Sequence, residues 1–155
     1  MKKLGVFVCI VAILFSMNLL KDSNLYEKFN SGVLSYYVYV NDLKNIDCTK
    51  YEVVQNGVGA IIKTSIDNAN EILISGCKVS GECVELNKDV GLSHIVEALQ
   101  LDVVLTDCVN NKIVITGYTK SLPSFLTSNN KKFNIQIAET ESSYLVGYPL
   151  VLHSY

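Results

Sequence analysis

From residue 103 onward the apolar residues recur at every second position, a period that specifies a pleated sheet rather than a helix. Val103–Val109 and Lys112–Tyr118 flank Asn110-Asn111. Asparagine tolerates positive φ, so this dipeptide suits a two-residue type I′ hairpin turn. Further on, Phe133, Ile135 and Ile137 alternate with Asn134 and Gln136, which predicts a strand with one wet face. After a turn at 139–143 the chain returns with Tyr144, Val146, Tyr148, Leu150 and Leu152 on one side. Pro149 has no N–H for a ladder, which predicts an edge position for this last strand.

The earlier part of the chain carries the same signal in shorter pieces. Residues 33–40 (VLSYYVYV) are β-branched and aromatic and read as a strand. Tyr51–Val54 and Val58–Thr64 are short strand candidates separated by Asn56-Gly57, and Cys83–Leu86 is a further extended segment. Residues 65–76 fit either a short helix capped by Ser65 or Asp67, or a strand over Glu71–Ile74. One clear helix interrupts the pattern: Leu92, Ile95, Val96 and Leu99 form a single stripe, with Asp89 at the expected N-cap. The sum is an α+β fold, an antiparallel sheet packed against one or two helices.

The amino terminus reads differently. Met1-Lys2-Lys3 precedes an apolar run from Leu4 to Leu20, the pattern of a secretory signal or signal anchor. Small residues at the −3 and −1 positions of a cleavage site are missing around Phe15–Leu20, which favours an uncleaved anchor spanning the membrane through residues 4–20. The leading lysines orient it with the rest of the chain outside the cytoplasm. If the signal is cleaved instead, the protein is secreted. Residues 21–32 are polar and read as a stalk, leaving 33–155 as a single extracytoplasmic domain.

Charge narrows the partners. The chain has 13 basic residues, all lysine, against 15 carboxylates, a net charge of −2. Residues 21–155 hold 11 of the lysines and all the acids, a charge of −4. Such a body, without a guanidinium, is a poor match for phosphates or guanine edges, and no nucleic-acid partner is expected. With 49% hydrophobic and 18% charged residues, a packed domain is expected rather than a disordered chain.

The inventory for catalysis is thin. His94 and His153 are the only histidines, and no serine sits in G-x-S-x-G. Glu82 and Glu85 are three apart on an extended segment, so they point to opposite faces rather than forming a hydrolytic pair. Gly57-Val58-Gly59 lacks the rest of a phosphate-binding loop, and no cofactor is implied. Cys9 belongs to the anchor. Cys48, Cys77, Cys83 and Cys108 remain, in a compartment that permits disulfides; four cysteines allow three pairings, and buried free thiols are the alternative. Their spacing is too wide for a zinc site.

In the C-terminal half, Ile115-Thr116-Gly117-Tyr118, the run Lys132-Phe133-Asn134-Ile135-Gln136-Ile137-Ala138, Val146-Gly147-Tyr148-Pro149-Leu150 and terminal Tyr155 resemble the YwmB-like family of Firmicutes. Gly81-Glu82-Cys83 is similar to that family's G-E-S, and the likeness runs over residues 77–155. The resemblance implies an exported or membrane-anchored protein with a TATA-box-binding-protein-like α+β fold, linked to cell-wall or sporulation processes. It implies a backbone shape and not DNA binding. Asn134 and Gln136, with Gly147 and Pro149 on the return strand, are the candidate surface: the amides either satisfy neighbouring backbone groups or form a shallow site for a ligand or partner. The expected function is a non-catalytic binding or scaffold module of the cell envelope, with a protein or envelope component as partner. The alternatives are an envelope enzyme using carboxylates and, last, a nucleic-acid-binding domain.

Overall fold

The computed structural model of the chain describes residues 25–29, 31–56 and 59–152. The expected anchor and its cleavage site lie outside these residues. Ten strands and two α-helices occur among the described residues, in an α+β arrangement dominated by one antiparallel sheet. In chain order they are β1 (Val33–Val40), β2 (Glu52–Asn56), β3 (Gly59–Thr64), α1 (Ile66–Ile74), β4 (Val79–Asn87), α2 (Leu92–Ala98), β5 (Asp102–Val109), β6 (Lys112–Tyr118), β7 (Leu126–Ser128), β8 (Lys131–Phe133), β9 (Ile135–Glu139) and β10 (Ser143–Tyr148). Eight of the strands form one sheet in the order β2-β3-β1-β4-β10-β9-β6-β5, while β7 and β8 make a separate hairpin.

The period of two decides which residues meet the helices. Tyr36 and Val38 on β1, Val84 and Leu86 on β4, Val146 on β10 and Ile137 on β9 line one face. Against them pack Ala69 and Ile72 of α1, Ile95 of α2 and Leu99 at the C-cap of α2, all at most 1% exposed. The ambiguous segment 65–76 is therefore helical. Ile72 and Ile74 would share a face in a strand, but in the helix Ile72 is buried and Ile74 is 81% exposed. Gly76, at φ +80°, follows the C-cap Ser75 and closes the helix in the left-handed conformation that costs glycine little.

Around α2 the expected boundary moves. Asp89 is not the N-cap: Lys88–Val90 form a 3-10 turn in which the Asn87 side chain accepts a hydrogen bond from the Asp89 N–H at 3.0 Å. Gly91, at φ +77° and ψ +136°, takes the cap position. That backbone conformation favours glycine and separates the turn from the helix. The stripe itself is as expected, with Ile95 and Leu99 buried, Leu92 and Val96 half-buried, and His94 and Glu97 exposed.

The hairpin of β5 and β6 turns at Asn110 and Asn111 with φ of 52° and 63°, both positive as a type I′ turn requires. The same dipeptide recurs at Asn129-Asn130, with φ of 50° and 60°, and joins β7 to β8.

Two further expectations are corrected. The strand preceding Pro149 is not an edge: β10 pairs with both β4 and β9. Proline does not disturb it because the last paired residue is Tyr148, so no ladder N–H is demanded of Pro149. The edges are β2 and β5. The polar-stalk reading of residues 21–32 also fails for Leu25–Phe29. Leu25–Lys28 form a 3-10 turn, and Leu25 and Phe29, 0% and 6% exposed, belong to the main core. Polar neighbours hid two apolar anchors spaced four residues apart. Replacing Leu25 with Ala should therefore cost about 2–5 kcal/mol in urea unfolding. An unchanged midpoint would restore the stalk.

Candidate functional site

The sheet face opposite the helices carries a smaller cluster built from Tyr39, Cys83, Val114, Ala138 and Leu145, with no helix residue in it. Alternation puts these residues here, since each neighbours the main-core residues along its own strand. What covers them is the segment that follows β10. Residues 149–152 leave β10 and fold back over this face, where Val151 joins the cluster. The Val151 N–H donates to Gln136 Oε1 at 3.1 Å, and the Leu152 N–H donates to the Tyr39 hydroxyl at 3.1 Å. Gly147 lies directly beneath: a Cβ there would overlap the Leu150 carbonyl and the Val151 nitrogen.

Three of the four candidate surface residues thus come together, around the chain's own C-terminal segment. Gln136 holds it, Gly147 makes room for it, and Pro149 begins it. Asn134 is elsewhere and does not share a wet face with Gln136. It sits in the break between β8 and β9, at 0% exposure. Its Oδ1 accepts from the Thr119 N–H at 2.8 Å, and its Nδ2 donates to the Thr119 carbonyl at 2.8 Å and the Ser124 carbonyl at 3.1 Å. The amide replaces ladder bonds for the loop that follows β6, which is why a polar side chain is tolerated in the core. Both amides serve backbone groups.

The four cysteines among the described residues, Cys48, Cys77, Cys83 and Cys108, are free thiols, and none of their three pairings is present. Cys83 lies in β4 and Cys108 in edge strand β5, four strand spacings away, or roughly 19 Å at about 4.8 Å each. Burial pushes the Cys83 thiol up to about 12, so it packs as a small hydrophobe. Cys77 is half-buried and donates to the Ile72 carbonyl at 3.3 Å, whereas Cys48 and Cys108 are exposed. Among the described residues no group of three or more His, Cys, Asp or Glu side chains is placed to hold a metal ion.

The two glutamates of β4 take opposite faces, as their spacing predicts. Glu82, 5% exposed, lies on the helix face; its Oε2 accepts from the Leu25 N–H at 3.0 Å and from the Tyr36 hydroxyl. Desolvation by the surrounding core raises its pKa above the ordinary value, against the lowering effect of those two donors. Glu85, on the other face, accepts from the Tyr37 hydroxyl at 3.0 Å and from the Ser143 hydroxyl at 3.0 Å. The Lys63 ammonium stands 5.8 Å from the centre of the Tyr37 ring. Burial first, then the bond to Glu85, holds the Tyr37 phenol well above its ordinary pKa. This half-buried cluster can hold a polar contact in register; the partners of Glu85 in it are the hydroxyls of Tyr37 and Ser143.

A second feature of the same face lies at its far edge. The β7–β8 hairpin, the start of β5 and the returning chain enclose a groove of about 330 Å³, lined by Val104, Leu105, Thr116, Phe133 and Leu150 with Lys131 at one side. These residues are scattered over the sequence from 104 to 150. Alternation could place each on a face, but nothing short of the strand order brings them together.

No protein-family model, curated protein sequence or solved structure matches the chain.

Two outcomes follow from these contacts. Asn134→Ala should lose at least about 2 kcal/mol of stability, because it strands buried partners, while Gln136→Ala, which gives up one half-exposed bond, should lose about 0.5–1.5 kcal/mol. Equal losses in urea unfolding would contradict the assignment. Glu82 binds its proton more tightly when folded than when unfolded. Its contribution is therefore fully present below its ordinary pKa of 4.5 and is lost as pH rises through the raised folded value. The stability of Glu82→Gln relative to the parent should accordingly rise with pH above about 4.5. A difference that is flat with pH would show that Glu82 is not buried.

Proposed function

We propose that the protein is a membrane-anchored binding module of the bacterial cell envelope, with residues 21–155 outside the cytoplasm. The observation that carries the binding reading is the exposed end of the sheet at β5. There Val103, Leu105 and Val109 are 45–55% exposed beside an apolar groove. Natural sheets seldom leave such a strand bare without a use for it. The anchor reading rests on the two lysines and seventeen-residue apolar run at the amino terminus. Leu25 is already part of the core, so only residues 21–24 separate the two. That length spans at most roughly 14 Å and would hold the domain against the bilayer surface.

We also read the chain as YwmB-like in family and TATA-box-binding-protein-like in shape. An antiparallel sheet with both helices on one face is consistent with that shape. The envelope partner is a protein or a surface component. The −4 charge of residues 21–155 disfavours a nucleic acid, and the placement of Glu82 and Glu85 on opposite faces favours binding over carboxylate catalysis. Exposed thiols make location testable. In intact cells a membrane-impermeant maleimide should label Cys48 and Cys108, with loss of signal when both are changed to Ser. Labelling seen only after lysis would defeat the envelope reading.

A further inference from the structure

Edge strand β5 is hydrogen-bonded to β6 alone, so its other side presents a row of backbone amides and carbonyls without a strand partner among the described residues. Seven of its eight residues are exposed. It contains neither lysine nor proline, two of the residues with which proteins commonly blunt such an edge, and although its register shifts between Val103 and Leu105, the pairing from Leu105 to Val109 is regular. A row of this kind is complemented residue by residue by another extended chain, which would displace water and the local Cys108 N–H to Asp107 bond. The pairing register shows which side chains would be read. Asp107 stands opposite Val114, a member of the open-face cluster, so Leu105, Asp107 and Val109 form one row on that face. Leu105 opens into the groove with Phe133 and Leu150. Asp107 is exposed; its Oδ1 accepts from the Cys108 N–H at 3.2 Å, and it forms no ion pair among the described residues, so its charge is open to a cation.

A second copy is a poor occupant. Joining two β5 edges would gather two copies each of Asp102 and Asp107 along one seam with no lysine on either strand. We infer that β5 is the docking edge for an extended segment of another protein, in which a lysine or arginine opposite Asp107 is flanked two residues away on each side by apolar side chains, one of them entering the groove. Backbone pairing supplies affinity, and the apolar–basic–apolar row supplies selectivity. The inference rests on the binding-module reading, but its test is made in vitro, so its failure leaves the location of the domain, tested in cells, untouched.

The probe is a capped seven-residue threonine peptide with leucine at its second and sixth positions and lysine at its fourth. It is added to the full-length protein in detergent micelles. The outward amides of β5 should exchange fast in the free protein, and binding should slow them. Asp107→Lys should weaken binding about three- to tenfold, and a peptide with glutamate in place of lysine should restore it. The inference is overturned if the peptide fails to bind at millimolar concentration, or if N-methylation of its alternate amides leaves binding unchanged. It is equally overturned if Asp107→Lys has no effect, or if the β5 amides are already protected in the free protein, which would mean that a second copy or the chain itself occupies the edge.

Discussion

The pairing of β4 with β10 is the constraint on which the rest of the molecule depends. Without it the chain is two four-stranded pieces, β2-β3-β1-β4 and β10-β9-β6-β5; with it they become one sheet. The register, from Ser143 opposite Asn87 to Tyr148 opposite Glu82, places Val146 beside Val84 on the helix face and Gly147 beside Cys83 on the other. A slip of one residue would exchange the two faces, exposing Val146 and driving Tyr148 or Ser143 into the wrong layer. Both faces are specified together, because each is buried by something different: the helices on one side and the returning chain end on the other.

Glu82 shows what this junction can hold. A carboxylate in the middle of a sheet is costly unless it is paired or hydrogen-bonded. Here its two donors come from Leu25 and Tyr36, in segments remote in sequence that meet only because β1 lies beside β4. The same contact ties the first described turn to the sheet, so the start of the domain is attached through a polar group as well as through Leu25 and Phe29. On the opposite face the end of the chain is tied down by Gln136 and Tyr39. Most of the central sheet is thereby closed to partners, which leaves the β5 edge and its groove among the exposed apolar surfaces of the described residues.

The likeness of Asn134 and Gln136 in the sequence is instructive. Both alternate with isoleucine and both read as wet-face amides. Gln136 is on the open face, whereas Asn134 falls in a break of the strand and turns inward to serve the loop after β6. Alternation assumes an unbroken pleat, and one irregular residue reverses its prediction. Pro149 misled in the same way, since the expected penalty applies only if the residue is still paired, and pairing ends at Tyr148.

Local chemistry by itself determined a good deal: the α+β class, the strands at 33–40 and 112–118, the Asn110-Asn111 turn, the apolar stripe of α2 and the opposed faces of Glu82 and Glu85. Each depends on a period or a φ preference carried by adjacent residues. Only the tertiary structure decided which strands are edges, that Leu25 and Phe29 are core, that the cysteines stay apart, and that Leu105, Phe133 and Leu150 share a groove. The physical reason is that a period of two tells a side chain which face to take but not which strand lies beside it. Strand order is settled by pairings between residues as far apart as Tyr36 and Val84, or Glu85 and Leu145.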